Sequence, residues 1–294
     1  MKRDTVLQAR DPSFVMREAV ESLKCAGIEA PDLVAKMLLQ HFTGLGATAL
    51  FFGNEHPLRD QQHRAFQAAL ARCLAGEPVH RVIGKRDFYT VTLSLSAETL
   101  EPRPDTECLV DAVLDYIRKA GREEEALALL DLGTGSGAIA IALLDQLPHA
   151  RCLATDISDN ALATATANAS ANGVANRFSG LKSDWMGEVS GRFDIIVSNP
   201  PYIASKTVDA LSPSVRDHDP RRALDGGPDG LAAYRTIFAQ AVGAFNPGGC
   251  LAVEIGYDQK RAVVDLARKS GWHLGGDHQD LAGHDRALVF EPGR

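Results

Sequence analysis

The chain has 294 residues, of which 45% are hydrophobic and 23% charged, a composition typical of a folded protein of about two domains. The formal net charge of −7, from 31 Lys and Arg against 38 Asp and Glu, argues against a protein that binds nucleic acid through phosphates alone. No apolar run approaches the ~18 residues of a membrane span, and no secretory signal follows Met1. We therefore expect a cytoplasmic protein without a membrane segment.

The cysteines and histidines favour neither a disulfide framework nor a metal site. The five cysteines form no Cys-x-x-Cys pair, and the nine histidines show no His-Glu-x-x-His spacing. We predict no metal and expect buried free thiols, as in proteins of a reducing compartment. The cysteines are Cys25, Cys73, Cys108, Cys152 and Cys250.

The N-terminal part, from Pro12 to about Gly76, has the apolar periodicity of amphipathic helices and predicts a small helical domain. Alternating residues over Arg86–Leu95 then predict a strand or a hairpin. Pro102 and Pro104 stiffen the chain that follows.

A helix reaching about Lys119 is expected next, with Asp105 or Thr106 as its N-terminal cap. We predict three parts of the chain. They are a helical domain over residues 1–83, a hairpin and linker over 84–101, and the α/β domain over 102–294.

From Ala126 onward, strands alternate with helices, which predicts a doubly wound, mostly parallel sheet with helices on both faces, a Rossmann-like α/β fold. Two late runs, Trp272–Gln279 and Arg286–Phe290, are expected to close the sheet antiparallel. The predicted strands are Ala128–Leu132, Arg151–Thr155, Phe178–Lys182, Phe193–Ser198 and Gly249–Ile255. The predicted helices are Gly137–Leu147, Asn160–Asn172, Gly230–Phe245 and Tyr257–Ser270.

A glycine-rich loop follows the first strand of this sheet. Ligands of such sheets bind at the carboxyl ends of the strands. Gly133 and Gly135 permit a sharp turn and a close approach of a ligand to the backbone. Asp156 ends the next strand, where its carboxylate can accept hydrogen bonds from both hydroxyls of a ribose. The predicted cofactor-binding residues here are Asp131, Gly133, Thr134, Gly135, Ser136, Gly137 and Asp156.

The acid before the first glycine indicates the charge of the ligand. The pattern Gly133-x-Gly135-x-x-Ala138 also satisfies a dinucleotide fingerprint, so an NAD-dependent oxidoreductase is an alternative. Asp131, however, suits a cationic group and disfavours a pyrophosphate. S-adenosylmethionine carries an ammonium and a sulfonium, and the loop therefore favours it over NAD. After the third strand, Asp184 can accept from an adenine amino group and Trp185 can lie on the adenine face, although Trp185 also fits an ordinary core position.

The segment Ser198-Asn199-Pro200-Pro201-Tyr202 follows the fourth strand. Two consecutive prolines cannot continue a central strand, so the chain must leave the sheet in a rigid loop. The Asn199 side-chain carbonyl and the Pro200 carbonyl can accept both hydrogens of a planar NH2 group, and Tyr202 can lie against its flat face.

This arrangement suits methyl transfer to an amide or aromatic amine, whose delocalised lone pair makes it a poor nucleophile. Two acceptors favour pyramidalisation and direct the lone pair at the methyl donor. We predict Asn199, Pro200 and Tyr202 as catalytic residues and the whole tetrad, with Pro201, as the substrate site; Asn199 is also expected to contact the cofactor.

These residues resemble a known family. The tetrad Asn199–Tyr202 with Asp131-x-Gly133-x-Gly135 is similar to class I methyltransferases that act on adenine, guanine or glutamine amino groups. Four further stretches narrow the resemblance to the HemK/PrmC-type peptide chain release factor glutamine methyltransferases. They are Arg86–Tyr89, Pro102–Glu107, Ala223–Leu231 and Glu254–Gly256.

The resemblance implies a class I methyltransferase domain behind a helical, substrate-recognition domain. It implies methyl transfer from S-adenosylmethionine to the side-chain amide nitrogen of the glutamine in the Gly-Gly-Gln motif of release factors. Release factors are then the partners, and no direct contact with nucleic acid is required. Donor contacts are implied at residues 133–137, Asp156 and Trp185, and the substrate amide at residues 199–202.

Several positions fit two interpretations. Arg103 either pairs with a carboxylate and holds the linker or contacts the substrate. Glu254 either lines the site or is a hydrogen-bonded carboxylate at a strand end. The polar loop of residues 217–229 is either a mobile cover or a solvated connection. Glu101 departs from the aliphatic residue usual in the family, which leaves the local packing open.

Two alternative functions use the same residues. A nucleic-acid amino-methyltransferase would employ the same tetrad, but the acidic composition counts against it. A non-catalytic donor-binding scaffold would leave the intact tetrad unexplained.

Overall fold

In a computed structural model of the protein, the chain forms two compact units, residues 1–84 and 85–294. The structure describes residues 11–46, 48 and 57–293, so the first ten residues of the predicted helical domain lie outside the described residues. The predicted hairpin belongs to the second unit. The assignment of roles to these parts stays a prediction. None of the described helices has the length and apolar character that a membrane span requires.

The first unit is built from amphipathic helices, as their periodicity predicts. The Asp11 carboxylate caps the first helix by accepting from the backbone N–H of Ser13 at 2.9 Å and from that of Phe14 at 3.2 Å. Each helix contributes apolar residues to one common core, among them Leu23, Leu38 and Phe66. The helices are α1 (Pro12–Cys25), α2 (Pro31–Thr43), α3 (Asp60–Leu74) and α4 (Val79–Ile83).

The second unit contains a two-stranded hairpin and a seven-stranded sheet with order β5-β4-β3-β6-β7-β9-β8, confirming the doubly wound α/β fold. Within the large sheet, β9 pairs antiparallel with both β7 and β8, and the other pairs are parallel. The strands are β1 (Lys85–Phe88), β2 (Val91–Ser94), β3 (Ala128–Leu132), β4 (Arg151–Asp156), β5 (Phe178–Lys182), β6 (Phe193–Ser198), β7 (Phe245–Glu254), β8 (Trp272–Gln279) and β9 (Asp285–Pro292). The α-helices are α5 (Glu107–Lys119), α6 (Ala138–Gln146), α7 (Asp159–Ala171), α8 (Ser205–Val208), α9 (Pro213–Arg216), α10 (Ala232–Gln240) and α11 (Lys260–Lys269).

Alternate residues of the central strands enter different cores because side chains of a strand point to opposite faces. Leu129 of β3 and Val197 of β6 belong to the core formed with α5, α6 and α7. Their neighbours Leu130 and Ile196 belong to the core formed with α10 and α11. Helices therefore cover both faces, and the carboxyl ends of β3 to β7 form one edge at which the predicted site residues lie.

The hairpin is fixed to this framework by Asn168 of α7. Its side-chain carbonyl accepts from the Ser94 N–H at 2.8 Å, and its amide donates to the carbonyls of Ser94 at 3.0 Å and Ser136 at 2.9 Å. One buried amide thus joins the hairpin, α7 and the glycine loop.

The structure corrects three expectations. Thr106 makes no capping bond, because a 3-10 turn over Pro104–Thr106 already gives it helical dihedrals and its hydroxyl is engaged elsewhere. The predicted helix Gly230–Phe245 is too long: α10 ends at Gln240, and Phe245 pairs with β6 at an irregularity in β7. The expectation of buried thiols is wrong for Cys25, which is exposed, and for Cys108, which is only partly buried.

Candidate active site

A cavity of about 400 Å³ opens at the carboxyl edge of the sheet. It brings together most of the side chains and loops that the sequence singled out, although they come from four different strand ends. The predicted residues that line it are Gly133, Thr134, Gly135, Ser136, Asp156, Asp184, Trp185, Asn199 and Pro201. The cavity lining does not include Asp131, which lies in β3, nor Gly137, Pro200 and Tyr202, which belong to the loops that carry the lining residues.

The glycine loop is held open by its left-handed glycines and by Asp156. Gly133 has φ +71° and Gly135 has φ +55°, conformations that favour glycine. The Asp156 carboxylate accepts from the Gly135 N–H at 3.0 Å and from the Ser158 N–H at 2.9 Å. Asp156 therefore fixes the loop as well as lining the cavity, a second role that its position in the sequence did not indicate.

Gly137 is required by helix packing. A Cβ atom built on it would lie 2.9 Å from Cδ1 of Ile141 and 3.1 Å from the Cβ of Ala165, where α6 starts against α7. Its φ of +84° adds to the preference for glycine. A direct contact between Gly137 and a cofactor stays a prediction.

Asp131 has a buried carboxyl group, and its two oxygens differ in their hydrogen bonding. Its Oδ2 accepts from the Thr134 hydroxyl at 2.6 Å, and its Oδ1 is buried without a hydrogen-bond partner among the described residues. Burial raises the pKa of Asp131 to about 7. Buried polar atoms are nearly always paired, so the orphan oxygen marks a place for a donor or a cation.

Trp185 also lines the cavity and has a strained backbone conformation. Its φ is +53°, which a bulky residue rarely adopts. Its indole ring comes within 3.5 Å of a Cβ atom built on Gly133, so glycine at 133 leaves room for the ring. The side chain is only half-buried, and Asp184 beside it is exposed, which leaves both available to a ligand.

The tetrad leaves β6 in a loop that is supported from behind. A Cβ atom built on Gly226 would lie 2.7 Å from the Pro201 carbonyl oxygen, and one built on Gly230 would be closer still to that of Tyr202. Gln259 donates to the Tyr202 carbonyl at 2.9 Å. The two glycines of the Ala223–Leu231 stretch thus allow it to pack directly against the backbone of the tetrad.

The side chains of the tetrad are oriented by two residues outside it. The Asn199 amide nitrogen donates to the Thr106 hydroxyl at 3.1 Å, and the Tyr202 hydroxyl donates to Oε1 of Glu254 at 3.3 Å. Glu254 is buried behind Tyr202 and does not line the cavity; its Oε2 has no hydrogen-bond partner among the described residues. Burial raises the pKa of Glu254 to about 7, against the opposing effects of Thr106, Arg286 and Tyr202.

The linker before α5 contacts the loop of residues 217–229 through ion pairs. Arg103 donates to the buried Asp219 at 2.9 Å, confirming that it pairs with a carboxylate, although it also lines the cavity. Glu101 accepts from Arg86 at 2.7 Å, which gives the unusual acid a charged partner in β1. Arg222 pairs with Glu98. The loop therefore forms part of the cavity wall, and its mobility stays a prediction.

Sequence reasoning missed several contributors. The sequence predicts Thr106 as a helix cap although it lies in the Pro102–Glu107 stretch, and no sequence pattern points to Gln259. Ile157, Ala233 and Thr236 also line the cavity. Among the described residues, no group of three or more His, Cys, Asp or Glu side chains is placed to hold a metal ion.

Comparison with known proteins identifies the family. Residues 15–84 match the PrmC N-terminal domain, and residues 111–214 match the methyltransferase small domain. The chain is 45% identical to a release factor glutamine methyltransferase of Agrobacterium fabrum, over 92% of this chain and 94% of that one. It is 42% identical to one of Caulobacter vibrioides, over 92% and 93%. The chain belongs to the release factor glutamine methyltransferase family.

The family predicted from the motifs is therefore confirmed, together with the Rossmann-like methyltransferase fold. A methyltransferase from Pyrococcus furiosus aligns with a TM-score of 0.51 at 18% identity, covering 78% of this chain and 98% of that one. The hMettl16 catalytic domain in complex with MAT2A 3'UTR hairpin 6 aligns with a TM-score of 0.55 at 16% identity, covering 77% and 81%. At these identities the two structures establish the fold alone.

Proposed function

We propose that this methyltransferase transfers a methyl group from S-adenosylmethionine to the side-chain amide nitrogen of the glutamine in the Gly-Gly-Gln motif of peptide chain release factors. The observation that carries the proposal is the Asn199–Tyr202 tetrad at a cavity whose other wall is the glycine loop. The relatives named above, 45% and 42% identical over nearly their whole length, are named release factor glutamine methyltransferases, which supports the substrate class.

The residues around the cavity fit this donor. The orphan Oδ1 of buried Asp131 suits a cationic group. Asp156 keeps acceptor capacity for a ribose beyond its two backbone bonds, because a carboxylate has about four lone-pair sites. Trp185 offers an aromatic face, and Asp184 an acceptor for an adenine amino group. Thr134 and Ser136, with the three glycines, would shape the backbone around the donor.

When bound, S-adenosylmethionine supplies a methyl group on a positively charged sulfur. The protein's task is then to orient the glutamine amide. The Asn199 amide nitrogen is held by Thr106, which leaves its carbonyl oxygen to accept one hydrogen of the substrate NH2 group. The Pro200 carbonyl would accept the other, and Tyr202 would lie against the amide plane. Such preorganisation places the nitrogen lone pair in line with the methyl group without a covalent intermediate.

We also propose that the first unit, residues 1–84, recognises the release factor away from the reacting amide. It forms a compact helical body of its own and matches the PrmC N-terminal domain. The second unit contains the glycine loop, Asp156 and the tetrad. The proposed division therefore assigns methyl transfer to the second unit and recognition of the release factor to the first.

Labelled donor tests the substrate class. The protein is incubated with radiolabelled S-adenosylmethionine together with release factor and total nucleic acid, and the two fractions are then separated. We expect label in the release factor, and none when its Gly-Gly-Gln glutamine is replaced by alanine. Label in the nucleic acid and not in the release factor would overturn the proposal in favour of a nucleic-acid amino-methyltransferase. The Asn199→Ala variant serves as the control for carry-over of bound donor.

A further inference from the structure

One buried carboxyl lies behind both polar side chains of the tetrad. Glu254 ends β7, is 1% exposed, and accepts from the Tyr202 hydroxyl through Oε1 at 3.3 Å. The Thr106 side chain, 4% exposed, interacts with the same carboxyl and accepts from Asn199 at 3.1 Å. Thr106 and Glu254 thus connect the two ends of the tetrad from outside it.

The hydrogen-bond inventory of Thr106 gives this arrangement a direction. A threonine hydroxyl has a single proton. Since the oxygen accepts from the Asn199 amide nitrogen, that proton is available to the nearby carboxyl of Glu254, whose buried Oε2 has no hydrogen-bond partner among the described residues. A carboxyl group retains an acceptor oxygen whether it is ionised or protonated, so Glu254 can serve Thr106 in either form.

The same inventory fixes which way the Asn199 amide faces. Its nitrogen points to Thr106, and the planar amide then presents its oxygen on the other side. If the amide flipped, an NH2 group would face the NH2 group of the substrate, and two donors would meet with no acceptor between them. The Thr106 hydroxyl therefore selects the orientation of Asn199 that the reaction needs.

We propose that Thr106 and Glu254 are positioning residues: Glu254 orients the Thr106 hydroxyl and the Tyr202 phenol, and Thr106 locks the Asn199 amide with its oxygen toward the substrate. The inference rests on the proposed function, because it assigns these two residues to the same methyl transfer. Glu254 does not line the cavity, and Thr106 lines it but engages Asn199 through its hydroxyl, so neither contacts the donor or the reacting nitrogen in this scheme. Their removal should therefore slow turnover without weakening the binding of donor.

Thr106→Val removes the hydroxyl at nearly constant volume. We expect kcat on whole release factor to fall about 10²-fold, the scale of a misplaced reacting group, with donor Kd and KM for release factor nearly unchanged. Thr106→Ser keeps the hydroxyl and should restore most of the rate. Thr164→Val is the matched control, because it removes a hydroxyl that bonds to the Asn160 carbonyl and to the Ser96 hydroxyl, away from the tetrad, and should leave kcat unchanged.

A double-mutant cycle separates positioning from mere support of the fold. If Thr106 acts through Asn199, Thr106→Val should have almost no effect on kcat in an Asn199→Ala background. Additive losses would overturn the inference, as would full activity of Thr106→Val or equal losses in the serine and valine variants. Glu254→Gln retains an acceptor and should lose less activity than Glu254→Met, and equal rates for these two variants would remove Glu254 from the scheme.

The cycle also distinguishes this inference from the function on which it rests. Full activity of Asn199→Ala would contradict the proposed role of the tetrad. Slow transfer by Asn199→Ala together with full activity of Thr106→Val would leave that role intact and overturn only the positioning by Thr106. Thermal unfolding of each variant shows that the compared proteins are folded.

Discussion

Donor binding should be linked to the ionisation of Asp131. In the protein without donor, burial raises the pKa of this carboxyl from 3.8 to about 7, and its Oδ1 has no partner among the described residues. A cationic group beside that oxygen attracts the carboxylate and not the neutral acid. Binding below pH 7 must therefore be accompanied by loss of a proton from Asp131.

The size of the effect follows from this pKa. Each pH unit below 7 adds about 1.4 kcal/mol to the free energy of deprotonating Asp131, which lowers the donor affinity about tenfold. The affinity should therefore rise with pH between 5.5 and 7 and level off above 7. An α-ammonium group, whose pKa is about 7.7–8.0 at a peptide terminus, stays charged throughout the rising part.

Isothermal titration calorimetry measures both the affinity and the proton released, the latter from the dependence of the binding enthalpy on the buffer. In Asp131→Asn the affinity should be lower at pH 7 and should lose its dependence on pH. Glu254 also has a pKa of about 7, and a slope that persists in Asp131→Asn would assign the linkage to another group. An affinity of the native protein that is equal at pH 6 and pH 7 would refute the reasoning.

Four further predictions address the site and the fold. Asn199→Ala should leave donor affinity nearly unchanged and slow single-turnover methyl transfer by about 10²–10³, with Asn199→Asp between alanine and asparagine; equal rates for alanine and asparagine would contradict the mechanism. Asp156→Ala should weaken donor binding by roughly 1.5–3 kcal/mol in calorimetry, and unchanged affinity would refute its assignment. Deletion of residues 1–84 should preserve donor binding and depress turnover on whole release factor; equal turnover by a folded truncated protein would exclude recognition by the first unit. Between pH 4.5 and about 7, Glu254 keeps its proton in the folded state and loses it in the unfolded state. The free energy of unfolding should therefore fall as pH rises, by about 1.4 kcal/mol per pH unit relative to Glu254→Gln. Urea titrations measure this difference, and parallel pH curves for the two proteins would contradict the raised pKa.

The predictable part of the site is the part that depends on local sequence. The strand β3, the glycine turn after it and Asp156 at the end of β4 follow from hydrophobic alternation and from the conformational freedom of glycine. Because parallel strands end at one edge, their terminal residues converge without any knowledge of long-range contacts.

The unpredicted part depends on contacts between distant segments. Thr106 and Asn199 are 93 positions apart, and in the sequence a threonine before a helix has the signature of a cap. Nothing local indicates that Asp156 also holds the Gly135 N–H. The sequence does not predict the start of β7, because Pro247 lies within that strand and proline is disfavoured inside strands.

The most direct test of the central claim is fragmentation mass spectrometry of release factor after incubation with this protein and S-adenosylmethionine. The account predicts one added methyl group on the peptide that contains Gly-Gly-Gln, located on the glutamine side chain, and none after incubation with Asn199→Ala on the same timescale. An unmodified glutamine, or a methyl group located on another residue, would contradict it.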